Sequence, residues 1–316
     1  MKSFSILLTL LLTACFSQVF GEPLKPVASV EFLGDVKAPE DISAIGKLGA
    51  LLVIGADEAV GENEDQNIIQ LMEQVGANSY KVSKDILLFE GDKEDGKEMD
   101  IEGIAVSGNL VYVLGSHSAK RTRIKESEKY ETNREAFRDE EISPEKNRGW
   151  LYRVEINDDD DGQDKDRISL RDIIKDDDVL KTFSELPSKE NGVDIEGIGA
   201  KGDSLYLGFR GPVLRGNWVP VMKLEFEDPE KYELLFVNLG GRGIRGITSV
   251  SDGFLLIAGP VGDGPTSYEL YHWDGKDMIP GEDRDPNDVG KSILRILLSS
   301  PDHWRSTQGE CATSSA

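Results

Sequence analysis

The chain has 316 residues, enough for one large domain or two ordinary ones. It carries 36 basic against 59 acidic residues, a formal charge of -23, and no basic face wide enough to track a nucleic-acid backbone, which argues against a nucleic-acid partner. Three histidines are too few for a His-based metal cluster, and two cysteines, Cys15 and Cys311, give no disulfide framework.

Residues 1–21 read as a secretory signal, because Lys2 is the only charge and Phe4 to Ala14 form an apolar run too short to span a bilayer. Two processing routes stay open. Leu12-Thr13-Ala14-Cys15 has the form of a lipoprotein box, which would lipidate Cys15, while Val19-Phe20-Gly21 suits ordinary signal peptidase. Either route predicts an extracytoplasmic protein, periplasmic or an outer-membrane lipoprotein, touching a membrane only through a lipid on Cys15.

The rest, from about residue 26 to 299, reads as a single repeat domain. Asp100-Ile101-Glu102-Gly103-Ile104 followed by Leu110 to Gly115 recurs as Asp194-Ile195-Glu196-Gly197-Ile198 followed by Ser204 to Gly208. Weaker copies start at Asp41 and Gly243, so units of roughly fifty residues carry insertions of different length. In the unit from residue 194, four β-rich runs (195–200, 204–209, 219–226 and 232–239) are divided by turn residues, the pattern of a propeller blade. The expected fold is an all-β propeller of five or six four-stranded blades, with a two-sheet sandwich as the weaker alternative. Ala28 to Gly34 resembles the later fourth strands, so it is expected to pair into the last blade and close the ring. Residues 119–148, charged and without apolar periodicity, read as a solvated loop or short exposed helix. Residues 157–166 form an acidic loop whose Asn157 to Gly162 mimics half of a Ca²⁺ loop, although Ile168 stands where the bidentate Glu belongs. Residues 169–186 suit an amphipathic helix with Ser169 as cap, and 300–316 a polar tail.

Asp100 and Glu102, like Asp194 and Glu196, alternate around one residue and are expected to face the central channel. Converging hard oxygens suit Ca²⁺ or Mg²⁺, and close carboxylates raise one another's pKa. The competing reading pairs these acids with Arg210, Arg245 and neighbouring arginines to lock blades together. Arg245 stands where Glu102 and Glu196 stand, so a small polar or anionic ligand is also accommodated. His117 is expected at a strand end on the rim, a further ligand-binding candidate. The alternative to a ligand-binding funnel is a non-enzymatic scaffold that binds a protein partner on its rim or insert.

Asp-Ile-Glu-Gly-Ile-Ala with Gly-Ser-His-Ser, the second acidic copy with Leu205 to Gly216, and Leu239 to Ile247 with Phe254 to Pro260 together resemble the bacterial domain of unknown function 3616 family, from about Glu40 to Gly275. The resemblance implies a propeller-like fold without an established activity. More distant similarity to phytase-like esterase and gluconolactonase-type propellers implies a metal-assisted hydrolase. Residues 285–316 lack the further repeat expected of the family, which leaves the last blade open to being incomplete.

Overall fold

The computed structural model describes residues 29–281, except 123, 139–141, 143–144, 158–163 and 263–266, together with the backbone of 293–296. The signal segment, Cys15, most of the acidic loop, Cys311 and the tail lie outside the described residues.

The described residues form an all-β propeller of four blades. The first holds β2 (Ile42–Leu48), β3 (Leu51–Ala56), β4 (Gln66–Gln74) and β5 (Ser79–Glu90), with β1 (Glu31–Leu33) added outside. The second holds β6 (Ile101–Ser107), β7 (Leu110–Gly115), β8 (Trp150–Glu155) and β9 (Lys165–Ser169). The third is β10 (Asp194–Lys201), β11 (Ser204–Gly211), β12 (Trp218–Glu225) and β13 (Glu233–Asn238). The fourth is β14 (Gly243–Val250), β15 (Gly253–Gly259), β16 (Glu269–Trp273) and β17 (Ile293–Ile296). Each blade is an antiparallel meander, and some of its hairpins turn on a glycine held at positive φ, such as Gly108 and Gly202.

Four blades stand where five or six were expected. The surplus length lies in connections rather than in further sheets. The segment between β7 and β8 contains α1 (Tyr130–Ala136), and that between β9 and β10 contains α2 (Arg171–Asp176) and two single 3₁₀ turns. The fourth blade has its full set of strands. Residue 169 ends β9 and Leu170 takes the helix N-cap position, with Ser169 Oγ one residue earlier accepting the Arg171 N–H at 3.4 Å; after the helix, Asp177 receives the backbone N–H groups of Val179 and Leu180 at 2.8 Å.

The N-terminal strand also departs from expectation. β1 pairs parallel with β5, Glu31 opposite Ser79, so it extends the first blade rather than completing the last. The innermost strands run in the order β2, β6, β10, β14, and β6, β10 and β14 each pack on the first two strands of the preceding blade. Isoleucine knobs fill glycine floors at these junctions: a Cβ on Gly103 would lie 2.8 Å from Ile198, and one on Gly197 2.8 Å from Ile247. Only glycine admits so close an approach. Leu207, Phe209, Val221 and Leu256 are among the side chains that complete the core behind them. Among the described residues no helix is long and apolar enough to cross a membrane.

Candidate functional site

Every innermost strand carries one extra residue at the same repeat position. The pairing jumps from Ile101 to Gly103, from Ile195 to Gly197, from Ile244 to Gly246 and from Ile42 to Ala44. The skipped residues are Glu102, Glu196, Arg245 and Ser43. A bulge leaves such a residue outside the ladder and re-aims its side chain. Here it gathers charge from different blades.

Glu102 from the second blade and Asp194 and Glu196 from the third offer carboxylate oxygens that all lie within 4.8 Å of one another. Asp194 and Glu196 are buried. Arg210 donates from Nη1 to Glu196 Oε1 at 2.8 Å and to Asp194 Oδ2 at 3.3 Å, and its Nε is tied to the Val261 carbonyl at 2.6 Å. Arg245 reaches across from the fourth blade, donating to both oxygens of Glu196 at 3.0 and 2.9 Å while its Nε and Nη2 hold the Pro260 carbonyl. Asp194 Oδ1 is buried and has no hydrogen-bond partner.

Asp100 does not join this group. It sits just before β6 with a φ of +58°, a left-handed conformation that turns its side chain away from the strand's alternation. There Arg148 Nη1 binds Asp100 Oδ2 and Arg148 Nη2 binds Glu98 Oε1, with Nε on Glu145 Oε2 at 2.9 Å. Ser118 Oγ adds a bond to Asp100 at 3.4 Å. Three of the four acids converge, and the fourth belongs to a neighbouring ion-pair network.

Both networks line one cavity of about 640 Å³, which also takes in Asp57 and Glu58 from the first blade. Lys120, Arg121, Ile124, Ala136 and Phe137 bring the charged insert over it. The insert carries the short, mostly exposed α1 and also supplies part of the cavity wall. Burial and repulsion from Glu196, Asp100 and Asp194 hold the Glu102 carboxyl well above its usual range. Burial and Glu196 do the same to Asp194, opposed by Arg210. Burial, then the charges of Asp100, Asp41 and Glu58, push Asp57 up to about 6. Glu98 goes the other way: burial would raise it, but Arg148 and Lys120 leave it lowered.

His117 is buried rather than presented on the rim. Its φ is +56°, Nδ1 meets the Gly115 carbonyl at 2.7 Å, and Nε2 is buried without a partner. Since a carbonyl only accepts, Nδ1 carries the proton and the ring is the neutral tautomer. It does not line the cavity.

Sequence reasoning missed Arg148, Glu98 and Asp57. Arg148 sits in a charged stretch with no periodicity to single it out. Asp57 follows β3 as Ser116 follows β7, its N–H on the Asp41 carbonyl as that of Ser116 is on the Asp100 carbonyl, and the different residue types at this position gave the repeat alignment no signal.

The model of the family described as "Protein of unknown function (DUF3616)" matches residues 41–169 and 162–297. No match is found among curated proteins. Solved structures that match include the computationally designed Ika4 protein, 10% identical with a TM-score of 0.33, where 78% of this chain covers 99% of that one. A protein from Lactobacillus plantarum is 9% identical with a TM-score of 0.32, over 73% of this chain and 67% of that one. Apo AztD from Citrobacter koseri is 11% identical with a TM-score of 0.31, over 84% and 63%. A match over residues 41–169 and 162–297 leads to one assignment: this chain belongs to the DUF3616 family.

Proposed function

We propose that the chain is an exported propeller whose funnel binds one divalent cation through Glu102, Asp194 and Glu196 and a small polar ligand beside it, beneath the insert. The carrying observation is the convergence of three carboxylates within 4.8 Å, one of them presenting a buried oxygen with no partner. Hard oxygen donors favour Ca²⁺ or Mg²⁺. Burying like charges together is costly unless a cation or proton neutralises them, and Arg210 and Arg245 are both directed at Glu196, leaving Glu102 without an arginine hydrogen bond among those described. Export rests on the apolar, almost uncharged segment at residues 1–21. The scaffold reading is favoured by a specific contact as well, the Arg245 to Glu196 pair that joins the third and fourth blades.

Calorimetric titration of Ca²⁺ and Mg²⁺ into metal-stripped protein separates the two. The cation site predicts saturable binding that Glu102→Gln abolishes and that deletion of Asp158 to Asp161 leaves in place. Absence of saturable binding in the unaltered protein overturns it and leaves the scaffold. Saturable binding then justifies a screen of ester, lactone and phosphoester substrates.

A further inference from the structure

The three blade junctions share one construction, and the two ends of the blade series carry its unmatched halves. At each junction an isoleucine of the later blade's innermost strand enters a glycine floor on the earlier blade. A Cβ on Gly103 would lie 2.8 Å from Ile198 and one on Gly197 2.8 Å from Ile247; at the first junction the aligned residue is Ala44, and the floor is Gly46 two residues on, where a Cβ would lie 2.6 Å from Ile104. Ile104, Ile198 and Ile247 are accordingly 6%, 2% and 6% exposed.

The equivalent knob of the first blade is Ile45, and it is 55% exposed. The equivalent floor of the fourth blade is Gly246, where a Cβ would meet nothing nearer than Ile257 of its own sheet at 3.6 Å. Ile257, paired with Gly246 and turned to the same side, is 42% exposed. Among the described residues, β2 and β14 form no junction comparable to the other three.

We propose that a second copy of this chain occupies these surfaces head to tail, Ile45 of one copy seated on the Gly246 and Ile257 floor of the other, with two such junctions closing the pair. The occupant is chosen by continuity. The floor on β14 and β15 continues the surfaces that already accept β6, β10 and β14, and β2 is the one innermost strand whose isoleucine is unclaimed. Asp35 and Lys37 are bonded to Gln70 in β4, so they lie over the middle of the first blade and leave β2 as the strand that enters this junction, without ring contacts of the kind Tyr206 makes with Phe254 and Trp273 at the third junction. The contact is heterologous, knob to floor rather than like to like, so it forms a finite species only by closing. Apolar shape carries it, against the self-repulsion of two chains that each have a formal charge of -23.

Light scattering coupled to size exclusion, with the purified chain at micromolar concentration, reads the outcome. Twice the chain mass is expected. Because Ile45 and Ile257 are exposed, Ile45→Glu and Ile257→Glu leave the fold intact by circular dichroism, yet each weakens association by about tenfold or more. The decisive sample mixes the two variants. One junction of the mixed pair then combines a native knob with a native floor, so the mixture associates more tightly than either variant alone. A monomeric unaltered chain overturns the proposal, and so does a dimer that neither substitution affects. A dimer weakened by both but not rescued on mixing is a like-to-like interface and overturns it too. If the chain is monomeric and dimerises only when residues 297–316 are removed, the floor belongs to the chain's own end.

Discussion

His117 shows how far a single side chain is constrained by its surroundings. Burial is the main reason its ring pKa falls to about 3, with the nearby positive charge of Arg171 adding to it and the Gly115 bond opposing. The unfolded ring titrates at about 6.5. Its folded pKa is the lower of the two, so the neutral ring contributes fully above pH 6.5; below that the unfolded chain takes up a proton that the folded one refuses. Stability is therefore lost as the pH falls from 6.5 towards 3. Between pH 7 and 5 the loss is about 2 kcal/mol from this group. His117→Asn is the suitable comparison, because Asn tolerates the left-handed backbone. Guanidinium midpoints at both pH values should show the gap between variant and unaltered protein narrowing by about that amount at pH 5; an unchanged gap would mean that the ring is protonated in the fold. The position of His117 was legible from the repeat, but its burial was not, since the residues that cover it come from the connections. The acids show the same division. Alternation brought out Asp100, Glu102, Asp194 and Glu196, whereas the left-handed φ at Asp100 and the Arg148 pair that separates it from the others depend on a residue 48 positions away.

At the scale of elements, the strands of the repeat were legible because β-branched runs, turn glycines and the acidic signature all agree; β10 to β13 fall where the pattern put them. The partner of β1 was not, because three residues of alternating polarity pair with whichever strand edge lies nearest. The bulges were also invisible to a strict alternation argument, although they direct Glu102, Glu196 and Arg245. Glycines at equivalent positions now separate packing from conformation. Neither Gly103 nor Gly246 has a positive φ, so alanine is conformationally acceptable at both. At Gly103 the new methyl would be forced into Ile198, an overpacking worth about 1 to 3 kcal/mol. At Gly246 it makes only an ordinary contact, and reduced freedom of the unfolded chain leaves the change neutral or stabilising by up to about 1 kcal/mol. Denaturation in the Ile45→Glu background, where no second copy sits on Gly246, makes the comparison clean. Equal losses at the two sites would show that the floors are not the points of contact.

At the scale of the molecule, blade number was the least legible feature, because dividing length by the repeat ignores the insert and helical connection that consume more than a blade's worth of chain. Order along the series is more informative than number. Each blade packs on its neighbours in sequence, β6 between β2 and β10, and β10 between β6 and β14, so stability should behave as intrinsic blade terms plus junction terms. The third junction has a polar component besides its isoleucines: Arg245 crosses it to Glu196 and is anchored on its own blade by Pro260. Arg245→Met removes that link and leaves Glu196 with Arg210 alone. Losing a charged hydrogen bond between a buried and a partly buried group costs about 1.5 to 3 kcal/mol, roughly ten- to a hundredfold in local opening. Hydrogen exchange should therefore accelerate in β14 to β16 by at least about tenfold while β6 to β8, two junctions away, keep their protection. If all four blades accelerate together, the propeller opens as one unit, and the fourth blade has no stability that its junction controls separately.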